Sequence, residues 1–170
     1  MPVLLTARLR LRPLAVGRDA AFVRELVNEP GWLRHIGDRG IRTLAAARAY
    51  IRQGPRTMYA EFGFGLLAVE LRRGGAPVGI CGLIKRPGLD DIDLGYALLA
   101  RREGRGYAAE AAAAVLADGV GRLGLRRVAA ITSPDNARSI RLLEKLGFRF
   151  ERRLRLKPDG PESRCFVREV

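Results

Sequence analysis

The sequence predicts a mixed α/β domain: a mostly antiparallel central sheet of about seven strands flanked by about four helices, in the order β-α-α-β-β-β-α-β-α-β-β. Three observations carry this. Short apolar runs between residues 64 and 99, broken by turn residues, read as an antiparallel meander. An Ala-rich helical stretch lies between two strands, and only that crossover needs a parallel pair. The 170 residues are 48% apolar and 29% charged, with no low-complexity linker or internal repeat, which fits a single domain over residues 1–170.

Each element has a local cause. In Thr6 to Leu14, Leu9 and Leu11 alternate with Arg8, Arg10 and Arg12, a half-buried strand with a basic face. Arg18 to Glu29 places Ala21, Phe22, Leu26 and Val27 at helical spacing, with Pro30-Gly31 as its stop. Gly31 to Gly40 reads as a loop or short helix, and Thr43 as the N-cap of a helix through Ile51. Strands follow at Phe64–Leu71, Val78–Ile84 and Asp91–Leu99, the first two joined at Gly74-Gly75. Gly104–Leu123 is the crossover helix and Arg127–Thr132 its return strand. Ser133-Pro134-Asp135-Asn136 opens a helix through Leu146, which Gly147 stops. Phe148–Leu156 and Arg164–Val170 read as a closing hairpin around the loop Lys157 to Ser163.

Composition excludes several classes. Cys81 and Cys165 cannot form a disulfide framework, so a reducing cytoplasm is expected. One His and two Cys make no typical zinc site, so no metal is expected. Glu110 and Asp118 interrupt the most apolar stretch, and Arg8, Arg10 and Arg12 come too early for a signal core, so no membrane association is expected. The 31 basic against 18 acidic residues give a net charge of +13, which favours anionic partners. Equally, the charge reads as compositional: no block of consecutive bases marks a nucleic-acid tail, and DNA is not expected as a partner.

The chemistry centres on Arg101-Arg102-Glu103-Gly104-Arg105-Gly106, between a strand and a helix. Glycines let bare amides approach an anion, and the helix behind them offers unpaired N–H groups and a positive dipole end. Together with the arginines this forms a phosphate or pyrophosphate cradle. The run from Gly104 to Ala109 also satisfies the dinucleotide fingerprint G-x-G-x-x-A, but the acidic residue wanted ~20 positions later is missing.

R-x-x-G-x-G in this setting resembles the acyl-CoA pyrophosphate loop of the GNAT acetyltransferases. Gly106 to Ala111 (GYAAEA) is similar to the subgroup containing the ribosomal-protein N-terminal acetyltransferases. So are the opening TARLRLRPL, Asp93-Leu94-Gly95-Tyr96, and Asn136 to Ser139 followed by LLEKLGF. The resemblance runs over essentially the whole chain.

It implies a GNAT-like fold and direct transfer of an acetyl group from acetyl-CoA to a primary amine. Coenzyme A would lie between the strand Leu94–Ala100 and Val128–Ser133. Backbone groups around Leu98, Leu99 and Ala100 would meet its pantetheine arm. Arg101, Arg102, Gly104, Arg105, Gly106, Tyr107 and Ala108 would hold the pyrophosphate, chiefly through the amides of Arg102 to Gly106, and Asn136 would be a further contact. An N–H near Tyr96 to Leu98 would stabilise the oxyanion. Many relatives carry an acidic Tyr where this chain has Leu143, so Ser139 is the expected donor to the coenzyme sulfur. Asp93 and then Asp91 are the expected bases, while Glu110 suits a structural role. Trp32, His35, Asp38, Tyr59, Phe64 and Tyr96 would line the acceptor site, with the loop Lys157 to Ser163 closing the opposite side. The acceptor is a small amine or a protein N-terminus, a ribosomal protein among the candidates, and the enzyme a monomer or homodimer. A non-catalytic ribosome- or RNA-binding module, motivated by the charge, and an acyl-CoA sensor, motivated by the missing Tyr, are the alternatives.

Overall fold

The computed structural model describes residues 1–170. It contains eight strands, six α-helices and one 3₁₀ turn. The strands are β1 (Leu4–Leu5), β2 (Leu9–Pro13), β3 (Leu66–Leu71), β4 (Pro77–Ile84), β5 (Asp93–Leu98), β6 (Arg127–Thr132), β7 (Arg149–Leu154) and β8 (Ser163–Glu169). The helices are α1 (Ala20–Leu26), α2 (Pro30–His35), α3 (Leu44–Gln53), α4 (Pro55–Phe62), α5 (Tyr107–Leu123) and α6 (Ala137–Lys145), and Ala100–Arg102 forms the 3₁₀ turn. The sheet order is β1-β2-β3-β4-β5-β6-β8-β7, antiparallel except between β5 and β6.

Two apolar layers cover the sheet. One joins Leu9, Val69, Cys81 and Val128 to the small face of α5 (Ala111, Ala112, Val115, Leu116) and to Leu143 of α6. The other joins Ala68 and Ile80 to α1, α2 and α3 through Val23, Leu26, Trp32 and Ile51. Both cysteines are buried free thiols. No helix is long and apolar enough to cross a membrane.

The extra strand is the short β1, which pairs Leu4 with Leu11. The two additional helices both begin at proline. Pro30 opens α2 rather than merely ending α1, and Pro55 opens α4 directly after α3. Proline at the first helical position loses no hydrogen bond, so the residue that stops one helix starts the next. Helix α5 starts at Tyr107, not Gly104, because Gly104 and Gly106 hold positive φ values of 73° and 77°. β5 starts at Asp93, which leaves Asp91 in the preceding turn. Thr43 caps α3 by accepting from the Ala46 amide, and Asn136 caps α6 by accepting from the Ser139 amide.

Two arginines of the basic face of β2, Arg10 and Arg12, are explained by one buried acid. Glu70 of β3, 2% exposed, is bound by Arg10, Arg12 and Arg18. Arg12 also forks onto both oxygens of Asp19 at 2.8 Å. Burial works against the charge of Asp19, but hydrogen bonds from Arg12 and the Ala15 amide outweigh it and hold the carboxyl below its usual range. A depressed acid contributes stability that is complete above about pH 4 and is lost as pH falls through its folded-state pKa. Asp19→Asn is therefore expected to destabilise by roughly 1–2 kcal/mol at pH 7 and by much less near pH 3. Urea unfolding at the two pH values checks this; an equal loss at both would refute it.

At the far edge of the sheet, β7 is exposed and carries Arg149, Arg152 and Arg153. Its Phe150 packs edge-on against Phe166 of β8 at a centroid distance of 5.8 Å.

Candidate active site

The only Cα pairing between the parallel strands β5 and β6 is Asp93 with Ala129. Beyond it the strands part, and the side of β5 from Leu94 to Leu98 that faces β6 has no strand partner. Asp93 stands at the fork. It is 1% exposed; Oδ1 accepts from the Ile131 amide at 3.2 Å and Oδ2 is bound by Arg86. Burial pushes its pKa up, while Arg86 and the amide pull the other way.

Beside the fork, the start of α5 is clamped to β2. Glu110 accepts from the Thr6 hydroxyl at 2.6 Å, the Arg8 amide at 2.8 Å and Arg8 Nε at 2.7 Å. The Arg8 guanidinium lies 4.7 Å from the centroid of the Tyr107 ring. The amides of Arg102 and Glu103 are spent within the 3₁₀ turn, on the carbonyls of Leu99 and Ala100. Those from Gly104 to Ala109 have no acceptor in the protein. A Cβ on Gly104 would meet nothing within 4 Å, so this part of the loop is open as well as turned by its φ. The free donors thus lie slightly later than Arg102 to Gly106, because the 3₁₀ turn consumes the first of them.

Fork and loop open into one cavity of about 900 Å³. Within it the Tyr96 hydroxyl of β5 lies 2.8 Å from Ser139 Oγ of α6. Burial pushes the Tyr96 phenol up to about 12. On the opposite wall α2 is tied to the β6–α6 turn: Arg34 binds Asp135 at 3.0 Å, and His35 Nδ1 lies 2.8 Å from Ser133 Oγ and 3.5 Å from Asp135.

The cavity gathers many of the residues expected from the sequence. Leu98, Ala100, Gly104, Gly106, Tyr107, Ala108, Asn136, Ser139, Asp93, Trp32, His35 and Tyr96 line it. Others lie elsewhere. Leu99 is fully buried in the core beneath α1 and α3, and Arg101 pairs with Glu25 of α1. Arg102 and Arg105 are not on the wall; the Arg105 carbonyl accepts from Arg8. Asp91 sits outside the cavity in a cluster around Arg127, which binds it at 3.0 Å. Asp38 faces Arg42 and the Gly40 amide. Tyr59 accepts from the Leu14 amide at 3.1 Å and donates to the Leu66 carbonyl, a brace between α4 and the sheet. Phe64 stacks on Phe62 and packs into the core. No residue from Lys157 to Ser163 reaches the cavity. Sequence reasoning missed Tyr50, Met58, Arg39 and Arg86 on the wall. Tyr50 and Met58 were hidden because the helix pair that presents them turns on Pro55.

The forked sheet and the glycine loop before a clamped helix form one site, and the family match gives its class as an acyltransferase. The model of the acetyltransferase (GNAT) domain family matches residues 8–149, and the chain belongs to that family. It is similar to the crystal structure of an acetyltransferase from Agrobacterium tumefaciens str. C58, with a TM-score of 0.84 and 30% identity, covering 100% of this chain and 95% of that one. It is 27% identical over 146 residues to the uncharacterized N-acetyltransferase YnaD of Bacillus subtilis (strain 168), covering 86% of this chain and 82% of that protein. In fold alone it resembles RimL, a ribosomal L7/L12 alpha-N-protein acetyltransferase solved in complex with coenzyme A. That likeness has a TM-score of 0.73 at 14% identity and covers 99% of this chain and 98% of that one.

Proposed function

We propose that this acyltransferase uses acetyl-CoA and passes the acetyl group directly to a primary amine. The observation that carries the reading is that one cavity holds the open side of β5, the free amides of Gly104 and of Gly106 to Ala109, and the Tyr96–Ser139 hydroxyl pair. Those amides, with the dipole of α5 behind them, suit a diphosphate. The open side of β5 from Leu94 to Leu98 offers N–H and C=O groups to the amides of a pantetheine arm, as an added strand would. The bound thioester supplies an activated acyl group and a sulfur leaving group.

The chain's own residues do the rest. Ser139 and Tyr96 hold hydroxyl donors for the sulfur. A β5 amide between Tyr96 and Leu98 serves the developing oxyanion. Asp93, with both oxygens engaged, acts through Arg86 and the Ile131 amide to hold the fork, and is a positioning residue. His35 takes the amine proton: its Nδ1 is oriented by Ser133, and its Nε2 has no protein partner. The acceptor is a small amine or a protein N-terminus; RimL, of similar fold, keeps a ribosomal terminus among the candidates.

Isothermal titration with acetyl-CoA tests the reading; well-folded protein that does not bind it would overturn it. Gly104→Val places a branched side chain at positive φ among the free amides. It is expected to weaken acetyl-CoA binding at least about tenfold while costing only ~1–2 kcal/mol of stability. Unchanged affinity would remove the cradle.

A further inference from the structure

The acceptor half of the cavity has a polarity of its own. Three cations on the cavity wall are already matched: Arg34 by Asp135, Arg86 by Asp93 and Arg138 by Glu103. Those pairs also consume three of the four carboxylates on the wall. The fourth, Glu29 at the start of α2, has no ion-pair partner. Arg39 and Lys145 are the lining cations without an ion-pair partner. Lys145 belongs to α6, on the coenzyme side, whereas Arg39 follows α2.

Arg39 sits in a loop shaped by two glycines. Gly37 and Gly40 flank it at φ values of 108° and 67°, and Asp38 is turned away onto Arg42 and the Gly40 amide. The Tyr50 hydroxyl, on the same side of the cavity, has no hydrogen-bond partner, and the charges of Arg39 and Arg86 both act on it. Trp32, 6% exposed, lines this wall, and its indole N–H has no partner either. Indole and guanidinium groups can only donate, and a phenol donates readily. Leu26, Met58, Ile80 and Ile84 add a hydrocarbon surface to this end, beside His35 and Glu29. An apolar wall with unmatched donors and an unmatched cation complements an apolar body ending in an anion. A polycationic amine would find a single unpaired carboxylate, Glu29, set against the unpaired Arg39.

We propose that the acceptor is a small primary amine that also carries a carboxylate on an apolar body, as an apolar α-amino acid does, and that Arg39 selects it. This rests on the transfer reading above and narrows its acceptor.

The test follows thiol release from acetyl-CoA with phenylalanine, with phenethylamine (the same body without the carboxylate), with spermidine and with a short N-terminal peptide. Phenylalanine is expected to give the highest kcat/KM, at least about tenfold above phenethylamine. Arg39→Ala is expected to collapse that ratio, and Arg39→Lys to restore part of it. Preference for spermidine, phenethylamine or the peptide, or a ratio that survives Arg39→Ala, would overturn the proposal. A second readout does not need turnover. Trp32 is the one Trp in the chain, so its fluorescence reports on this wall. N-Acetylphenylalanine is expected to shift it at lower concentration than N-acetylphenethylamine, and Arg39→Ala to abolish the difference. If no amine is acetylated, the transfer reading falls, and this titration alone decides whether the carboxylate is recognised.

Discussion

Tyr96→Phe and Ser139→Ala are each expected to lower kcat by about 10- to 100-fold, and the double variant by little more than either. The reason is that the two hydroxyls lie 2.8 Å apart and act as one unit. Tyr96 reaches in from β5 and Ser139 from α6, so each fixes the other across the gap between the layers. With its pKa pushed up to about 12 by burial, the phenol stays protonated throughout the neutral range. Full proton transfer from it to a thiolate of ordinary pKa, ~8.5, would run uphill by roughly 5 kcal/mol. In the proposed transfer the pair would stabilise the leaving sulfur by hydrogen bonding, and Tyr96→Phe is expected to lower kcat without moving the pH profile between 6 and 9. Steady-state kinetics on the two single variants and the double checks this. Losses that multiply in the double variant would show two independent groups.

The second large effect is on the fork. Asp93→Ala is expected to cost about 3 kcal/mol, because it strands Arg86 and leaves the Ile131 amide without an acceptor. Adding Arg86→Met should recover part of the loss, since removing both members of a buried pair costs less than removing one. Because its folded-state pKa is raised, ionised Asp93 erodes stability as pH rises from about 4 through that pKa, opposite in sign to Asp19. Chemical denaturation of the single and double variants measures both effects. A loss within 1 kcal/mol for Asp93→Ala, or a double variant worse than the single, would refute the assignment.

Much of this was legible in the residues. Alternation in TARLRLRPL gave β2, and the turn signals gave the meander and the crossover helix with its single parallel pair. The Thr43 and Asn136 caps were readable because a cap is a local interaction. The glycine loop was readable because only a bare, turned backbone explains its composition. What escaped was set by tertiary contacts. Asp91 and Asp93 alternate in the sequence, yet one pairs with Arg127 outside the cavity and the other is sealed at the fork. Tyr59 and Phe64 have the composition of an acceptor wall, but Tyr59 braces α4 against the sheet and Phe64, just after α4, packs into the core. The Tyr96–Ser139 pair joins residues on separate elements, and no spacing rule predicts such a meeting.

Both sulfur atoms of the chain lie out of reach of solvent, Cys81 at 0% and Cys165 at 1% exposure. Burial raises both, Cys81 to about 12, so near pH 7.5 the reactive anion of Cys81 amounts to roughly one molecule in 10⁴ or fewer. Alkylating and disulfide-exchanging dyes will therefore find almost nothing to label on the folded enzyme. Under the proposed transfer, a colour developed with such a dye during turnover would come from the released thiol, with negligible background from the catalyst.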